Sequence, residues 1–387
     1  MTSSTVIHWL GAGLSSGPGL LRLLANGARV CLWNRTLAHA HQLVAEAPLK
    51  PEICALDLDA LAGRLQPGDV VVSMLPADMH VEIAKLAIAG HAHFVSSSYV
   101  SEPMHALNES AHQRQLCLVN EVGLDPGLDH LMAHQLIDAW RTSDRYDTSA
   151  TLSFRSYCGG FPAVPNDFRY KFSWSPVGVL RALLTPARYI AAGEICEIEK
   201  PWEAITPYTV KLAGRVETFE AYPNRDSLPF MSDYNLDPDW PVEEFVRGTL
   251  RLQGWSLAWH GIFETLSDAG TVNNGEKLNA LSSDLWQHHR YAENEADRVV
   301  LCVELCCQSA QDTLFHRVCT LDSLGNATGS AMARLVSIPV SLAVDDILAG
   351  KVSHGVSTAP AATQQIAHWF NVLDHGGDSV QVQDLKV

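Results

Sequence analysis

Through its first 130 residues the chain alternates short apolar runs with amphipathic stretches of helical period, and this alternation is what most limits its fold. The runs are Val6–Leu10, Arg29–Trp33, Ile53–Leu56, Val70–Leu75, Phe94–Ser97 and Leu116–Asn120. Strands that are apolar on both faces must be covered on both faces, and intervening helices supply that cover in a parallel sheet. The spacing therefore predicts a doubly wound α/β domain. Thr36 is placed to cap a helix over Leu37–Ala47 through its hydroxyl, and Ser101-Glu102-Pro103 opens another, with proline in the first turn.

After about residue 130 the texture changes. Thr151–Tyr157, Val299–Cys306 and Phe315–Leu321 read as strands of a mixed, mostly antiparallel sheet, separated by Gly/Pro-rich loops such as Gly159–Asn166 and Tyr222–Pro229. Trp255–Tyr291 is polar and helical in pattern. Ser330–Val336 and Ser341–Ala349 read as two helices broken at Pro339, and the last dozen residues as a polar tail. With 387 residues there is chain enough for two domains, each with its own core.

The formal charge of −16 argues against a nucleic-acid partner, because that binding rests on neutralising phosphates with Lys and Arg. No apolar run approaches the ~20 residues of a membrane span. The nine cysteines are scattered, with no C-x-x-C, and read as reduced thiols in the cytoplasm. His130 and His134 stand four apart on a helix but lack a third ligand in register, so no metal is expected.

Gly11-Ala12-Gly13-Leu14-Ser15-Ser16 follows the first strand directly. A G-x-G at a strand-to-helix turn lets backbone amides approach a pyrophosphate; the alternative is a tight turn with no ligand. Ser16 replaces the third glycine of that fingerprint. About 20 residues on, where an NAD-selective fold carries Asp or Glu, the chain reads Trp33-Asn34-Arg35-Thr36. No carboxylate repels a 2′-phosphate there and Arg35 offers a guanidinium to bind one, which favours NADP; the alternative is a surface residue opening a helix. Two more segments fall at strand ends: Ser96-Ser97-Ser98-Tyr99-Val100-Ser101 and Asn120-Glu121-Val122-Gly123-Leu124-Asp125-Pro126-Gly127-Leu128-Asp129-His130. Helix capping is an alternative role for Asp125 or Asp129.

These segments resemble the saccharopine reductase family, the NADP-dependent, glutamate-forming saccharopine dehydrogenases. The likeness continues through Ser156-Tyr157-Cys158-Gly159-Gly160, Tyr170-Lys171-Phe172-Ser173-Trp174-Ser175, Ala221-Tyr222-Pro223-Asn224-Arg225-Asp226-Ser227 and Val246-Arg247-Gly248-Thr249-Leu250-Arg251. The blocks run in family order along nearly the whole chain. The resemblance implies a Rossmann domain over residues 1–127, with residues 340–387 packing back on it. It implies a second α+β domain over 128–254 and 296–339 for substrate and dimer contacts, and a helical insertion over 255–295, shortened relative to fungal members after Gln253-Gly254.

It also implies interconversion of saccharopine with glutamate and 2-aminoadipate 6-semialdehyde by a homodimer. Matched block by block, the cofactor residues are Gly11, Gly13, Leu14, Ser15, Asn34, Arg35, Thr36, Asp57, Leu58, Leu75, Pro76, Ser97, Ser98, Gly123, Leu124, Asp125, Gly127, Leu128, Asp129 and Trp174. The substrate residues are Ser98, Tyr99, Asp125, Arg225, Arg247, Gly248 and Thr249, and the proton-transfer candidates are Tyr99, Asp125 and Cys158. A tricarboxylate calls for guanidinium partners, which suits Arg225 and Arg247; the alternative for each is a structural ion pair, with Asp226 or Glu244. Cys158 has a second reading as a small buried residue in a tight Cys-Gly-Gly turn. A reductase of another amine–aldehyde adduct, such as a carboxylated polyamine, fits the two arginines less well. A non-catalytic NADP-binding regulator would have no use for the other pocket motifs.

Overall fold

A computed structural model describes residues 5–268 and 274–385. The chain packs into two compact units. The first comprises residues up to Leu131 with Ala327–Gly329 and Ala333–Gln365; the second comprises Met132–Asn326, Ser330–Met332 and the chain from Ile366. Among the described residues no helix is long and apolar enough to cross a membrane.

The first unit is built on seven parallel strands: β1 (Ile7–Leu10), β2 (Val30–Asn34), β3 (Glu52–Ala55), β4 (Val70–Ser73), β5 (His93–Ser96), β6 (Cys117–Val119) and, far along the chain, β15 (Gly355–Ser357). Their order is β15-β6-β5-β4-β1-β2-β3, so the winding direction reverses between β1 and β4, where such sheets hold ligands. β1 and β4 are buried along their whole length, as two-sided cover requires. On one face Leu10, Trp33, Val71, Phe94 and Leu118 pack against Ile83 and Ala87 of the helix His80–Ala89.

Pro339 does not break its helix. A single helix runs Ala331–Leu348, in which Ser337 Oγ donates to the Ala333 carbonyl and Ser341 Oγ to the Ile338 carbonyl, both at 2.6 Å. It lies close against the helix Gly17–Ala25: the Gly19 amide donates to Ser337 Oγ at 2.8 Å, and a Cβ on Gly19 would sit 1.9 Å from the Ser337 carbonyl oxygen. Arg22 and Asp345 close the same pair of helices at 2.7 Å. Thr36 is the N-cap of the helix Leu37–Leu43, but its hydroxyl accepts no cap bond, and that helix stops four residues short of Ala47.

The second unit carries a mixed sheet of β7 (Thr151–Pro162), β8 (Ala187–Ala191), β9 (Glu194–Ile198), β10 (Thr206–Leu212), β11 (Arg215–Pro223), β12 (Val242–Leu252), β13 (Asp297–Gln308), β14 (Thr313–Leu324) and β16 (Val380–Asp384). The main path is β10-β11-β12-β7-β13-β14-β16, antiparallel except for the β12–β7 pair. Tyr157, Phe161, Phe219, Val246, Leu250, Val300 and Val318 form one buried layer. Arg298 of β13 is gripped by Glu217 of β11 and Asp322 of β14, each through two hydrogen bonds of 2.6–2.9 Å. Contacts between such non-neighbouring strands require the sheet to curl over itself.

Helices Trp255–Ala258, His260–Ser267 and Gly275–His289 occupy the expected insertion, whose residues 269–273 lie outside the described chain. They close a second core of Tyr170, Phe172, Trp202, Tyr222, Trp255 and Trp259.

The C-terminal residues depart from the expectation that 340–387 joins the nucleotide unit. Only the stretch to Gln365 does, contributing β15. The supposed polar tail instead contains β16, which pairs with β14 in register Arg317↔Asp384 to Leu321↔Val380.

Candidate active site

In the first unit the expected cofactor residues gather at the C-terminal ends of the parallel strands. The Gly11–Ser16 turn follows β1, with Gly11 at φ 106° donating its amide to the Trp33 carbonyl at 2.8 Å. A Cβ on Gly11 would lie 3.0 Å from the Met74 carbonyl oxygen, which places this turn beside Leu75 and Pro76. A Cβ on Gly13 would meet nothing within 4 Å, so open space lies over the turn where a phosphate group can approach. Leu14 is exposed and Ser15 half-buried.

Ser16 has a definite substitute role. Its hydroxyl donates to the Gly11 carbonyl at 2.6 Å and accepts from the buried Trp9 indole at 2.7 Å, bracing the turn. The close helix packing usually assigned to the third glycine is met here by Gly17 and Gly19.

Asn34 closes the end of β2: its Oδ1 accepts from the Ala12 amide at 3.0 Å and its Nδ2 donates to the Thr36 carbonyl at 2.8 Å. Arg35 and Thr36 beside it are exposed, and Arg35 makes no ion pair among the described residues. Asp57 is occupied locally, since its Oδ1 accepts from the Ala60 amide at 2.8 Å and caps the helix Leu58–Ala62. Nearby, Cys31 Sγ and Cys54 Sγ are 3.4 Å apart, with Glu52 close by. The guanidinium of Arg64 sits at the place a metal would take, 2.5 Å from Glu52 and 3.3 Å from Cys54 Sγ. Burial and the neighbouring Cys54 push the Cys31 thiol up to about 12.

The loop after β6 is held by its own backbone. The Gly123 amide donates to the Pro126 carbonyl, the Leu128 amide to the Gly123 carbonyl, and the Gly127 amide to Asp129 Oδ1 at 2.7 Å. A Cβ on Gly127 would collide with Gly123 at 2.1 Å, so only glycine fits. Asp129, in the first turn of the helix Leu128–Arg141, is fully buried and accepts from the loop through this carboxylate oxygen, while Asp125 is half-buried. Asp125 Oδ1 accepts from the Tyr99 hydroxyl at 3.0 Å, which brings two proton-transfer candidates together. Glu121 braces both segments, taking the Val100 amide on one oxygen and His130 Nε2 on the other, each at 2.8 Å. His130 is therefore engaged with a carboxylate, and His134 packs edge-on against Tyr234.

His80 was not singled out from sequence. It opens the helix His80–Ala89, buried, with Nδ1 2.9 Å from Ser73 Oγ and Nε2 2.9 Å from Ser98 Oγ. Burial pushes its pKa down to about 4, so the ring is neutral at ordinary pH. Its only sequence signal is a histidine shortly after Leu75-Pro76, at the end of a parallel strand.

In the second unit Cys158 lies inside β7, not in a turn: Ser156-Tyr157-Cys158-Gly159-Gly160 is continuous strand, paired with β13 throughout and with β12 as far as Cys158. Gly159 is needed because a Cβ would lie 2.4 Å from the Leu250 carbonyl oxygen across the pair. The register Arg247↔Ser156, Gly248↔Tyr157 and Thr249↔Cys158 puts Arg247, Thr249 and Cys158 on one face, opposite the buried Tyr157–Leu250 layer. The Asn224 amide donates to the Arg247 carbonyl and the Arg247 amide to Ser227 Oγ, which ties the Arg225 segment to β12. Arg225 is exposed, at φ 61°, whereas the buried Arg247 guanidinium lies 3.7 Å from the centre of the Phe230 ring.

The carboxylates considered as structural partners are held by other arginines: Asp226 by Arg188 at 2.9 Å and Glu244 by Arg155 at 2.6–2.9 Å. Trp174 is about a third exposed and packs on Gly178, whose missing side chain makes room for the indole.

Comparison with known proteins extends over the whole chain. Residues 7–119 match the family described as the saccharopine dehydrogenase NADP binding domain, and residues 123–376 the saccharopine dehydrogenase C-terminal domain. The chain is 30% identical to the NADP⁺-dependent, L-glutamate-forming saccharopine dehydrogenase of Pyricularia oryzae, over 91% of this chain and 92% of that protein. It is 31% identical to the Saccharomyces cerevisiae protein of the same name, with the same coverage. The apo structure of the L-Glu-forming yeast saccharopine dehydrogenase superposes with a TM-score of 0.83 at 28% identity, covering 99% of this chain and all of that one. With both halves matched in order, the chain belongs to the saccharopine dehydrogenase family.

Proposed function

We propose that the protein is the NADP⁺-dependent, L-glutamate-forming saccharopine dehydrogenase, an oxidoreductase of lysine metabolism that interconverts saccharopine, NADP⁺ and water with glutamate, 2-aminoadipate 6-semialdehyde and NADPH. The observation that carries the reading is the match of both halves of the chain, in order, to the NADP binding and C-terminal domains of saccharopine dehydrogenase, with the Asn224-Arg225 segment hydrogen-bonded to the backbone of Arg247. Two guanidinium groups on joined segments suit a ligand with several carboxylates.

The first unit's residues fit the cofactor: Gly13 opens on free space, helix N-terminal amides follow it, and the exposed Arg35 after β2 makes no ion pair among the described residues. When bound, NADP⁺ supplies the acceptor for the hydride that leaves the carbon beside the bridging amine. The resulting imine needs water, a base to take that water's proton, and a proton for the leaving amine. We assign the base to Asp125, with the Tyr99 hydroxyl fixing the carboxylate from 3.0 Å. Cys158, on the face it shares with Arg247 and Thr249, is the third proton-transfer group. Arg225, Arg247, Gly248 and Thr249 hold the substrate's carboxylates.

The nine free thiols favour a reducing compartment, and we place the enzyme in the cytoplasm. By the resemblance it works as a homodimer, which sedimentation equilibrium tests directly. The decisive assay mixes the pure protein with saccharopine and NADP⁺ and follows NADPH absorbance. Silence with saccharopine and turnover of a different amine–aldehyde adduct would overturn the substrate assignment.

A further inference from the structure

Ser73 ends β4 fully buried, and among the described residues its hydroxyl has one side-chain partner, Nδ1 of His80 at 2.9 Å. A buried hydroxyl proton needs an acceptor, and the neutral imidazole has one to offer. If Ser73 donates to Nδ1, the ring proton is left on Nε2, which then donates to Ser98 Oγ across 2.9 Å. Ser98 cannot also donate back along that line, so its own O–H is free to serve another acceptor. Its backbone is pinned meanwhile, because the Ser98 carbonyl accepts the Glu121 amide at 3.1 Å.

We propose that His80 is a positioning residue which, locked in its Nε2–H tautomer by Ser73, turns the Ser98 hydroxyl into a donor for an anionic oxygen of the bound ligands. The inference rests on the reading of the Ser97-Ser98-Tyr99 segment as part of the substrate and cofactor site. A carboxylate oxygen of saccharopine and a phosphate oxygen of the cofactor share the required chemistry. Protonation of the imidazole is not needed for this function; burial holds the ring neutral above about pH 4.

The test is a double-mutant cycle on His80→Phe and Ser98→Ala, read as kcat/KM for saccharopine and separately as Kd for NADPH. Each single variant is expected to lose about tenfold in whichever constant Ser98 serves, the loss of one oriented hydrogen bond. The double variant should be no worse than Ser98→Ala alone, because His80 acts only through Ser98. A loss in kcat/KM points to the substrate carboxylate and a loss in NADPH affinity to the cofactor. His80→Gln, whose amide can still donate to Ser98, should recover part of the loss, which a packing role would not predict.

If His80→Phe does not fold, Ser73→Ala takes its place in the cycle, since it leaves the ring in position and removes only the tautomer lock. Multiplying losses in the double variant, or no loss in either constant, overturns the proposal. Wild-type protein that is silent with saccharopine overturns the substrate assignment instead, and the NADPH arm still reports on His80.

Discussion

Replacing Arg35 with alanine should separate the two nicotinamide cofactors. Arg35 is exposed just after β2 and has no ion pair among the described residues, so its replacement breaks no salt bridge there. A charge-assisted hydrogen bond contributes about 1.5–3 kcal/mol, and exposure to water and salt puts Arg35 at the lower end, about 1.5–2 kcal/mol. That is roughly a 10- to 30-fold rise in Kd for NADP⁺. NAD⁺ lacks the 2′-phosphate, and its Kd should move by less than about twofold. Fluorescence titration with NADPH and NADH reads both constants, and repeating it at high ionic strength should shrink the NADPH difference. Arg35→Lys keeps the charge without the fork and should fall between wild type and alanine. Equal losses for both cofactors would falsify the assignment of Arg35 to the 2′-phosphate.

Other expectations follow from the same contacts. Gly19→Ala forces a Cβ into the Ser337 carbonyl, 1.9 Å away in the native packing, and should cost about 3 kcal/mol or more, seen as a lower midpoint in denaturant. Arg298→Ala leaves Glu217 and Asp322, beside a buried layer, with only the half-exposed Arg215 as partner and should cost about 2–3 kcal/mol, whereas Arg215→Ala, which leaves both carboxylates on Arg298, should cost under about 1 kcal/mol. His80, lowered from 6.5 to about 4 by burial, takes up a proton more readily unfolded than folded. Stability should therefore fall as pH drops from about 6.5 towards 4, by about 2 kcal/mol at pH 5, and this contribution should vanish from the pH profile of His80→Gln. Tyr99→Phe removes the bond to Asp125 and should lower kcat about tenfold; an unchanged kcat would show that the hydroxyl has no part in placing that carboxylate.

The nucleotide-binding half was largely legible because two-sided burial writes itself into sequence as unbroken apolar runs, and six of the seven parallel strands carry such runs. The seventh, Gly355-Val356-Ser357, is three residues with no run to recognise; its place is set by pairing with Cys117–Val119 from far away. Pro339 misleads for a related reason. Local rules break a helix there, but close packing against Gly19 of the neighbouring helix holds it through the proline. The Cys-Gly-Gly segment looks like a turn because glycine is usually read as freedom of φ. Here it answers a close approach of β12 instead, which only three-dimensional packing can reveal. Among the candidate site residues, charge logic singled out Arg35, and the family likeness singled out Tyr99 and Asp125, which the fold brings within 3.0 Å of each other. His80 escaped both, since a lone histidine gains its meaning from two serines brought to it by separate strand ends.

Strand β15 bears on synthesis as well as on fold. Its partner β6 is complete at Val119, yet β15 begins roughly 240 residues later, at Gly355. At the ~5–20 residues per second of translation, the nascent sheet waits on the order of 10–50 s with the backbone groups of its β6 edge uncapped. Such an edge is a template for pairing with other chains. A chain terminated before Gly355 therefore leaves the sheet ending on β6, and should pair or aggregate through that edge more readily than the full chain.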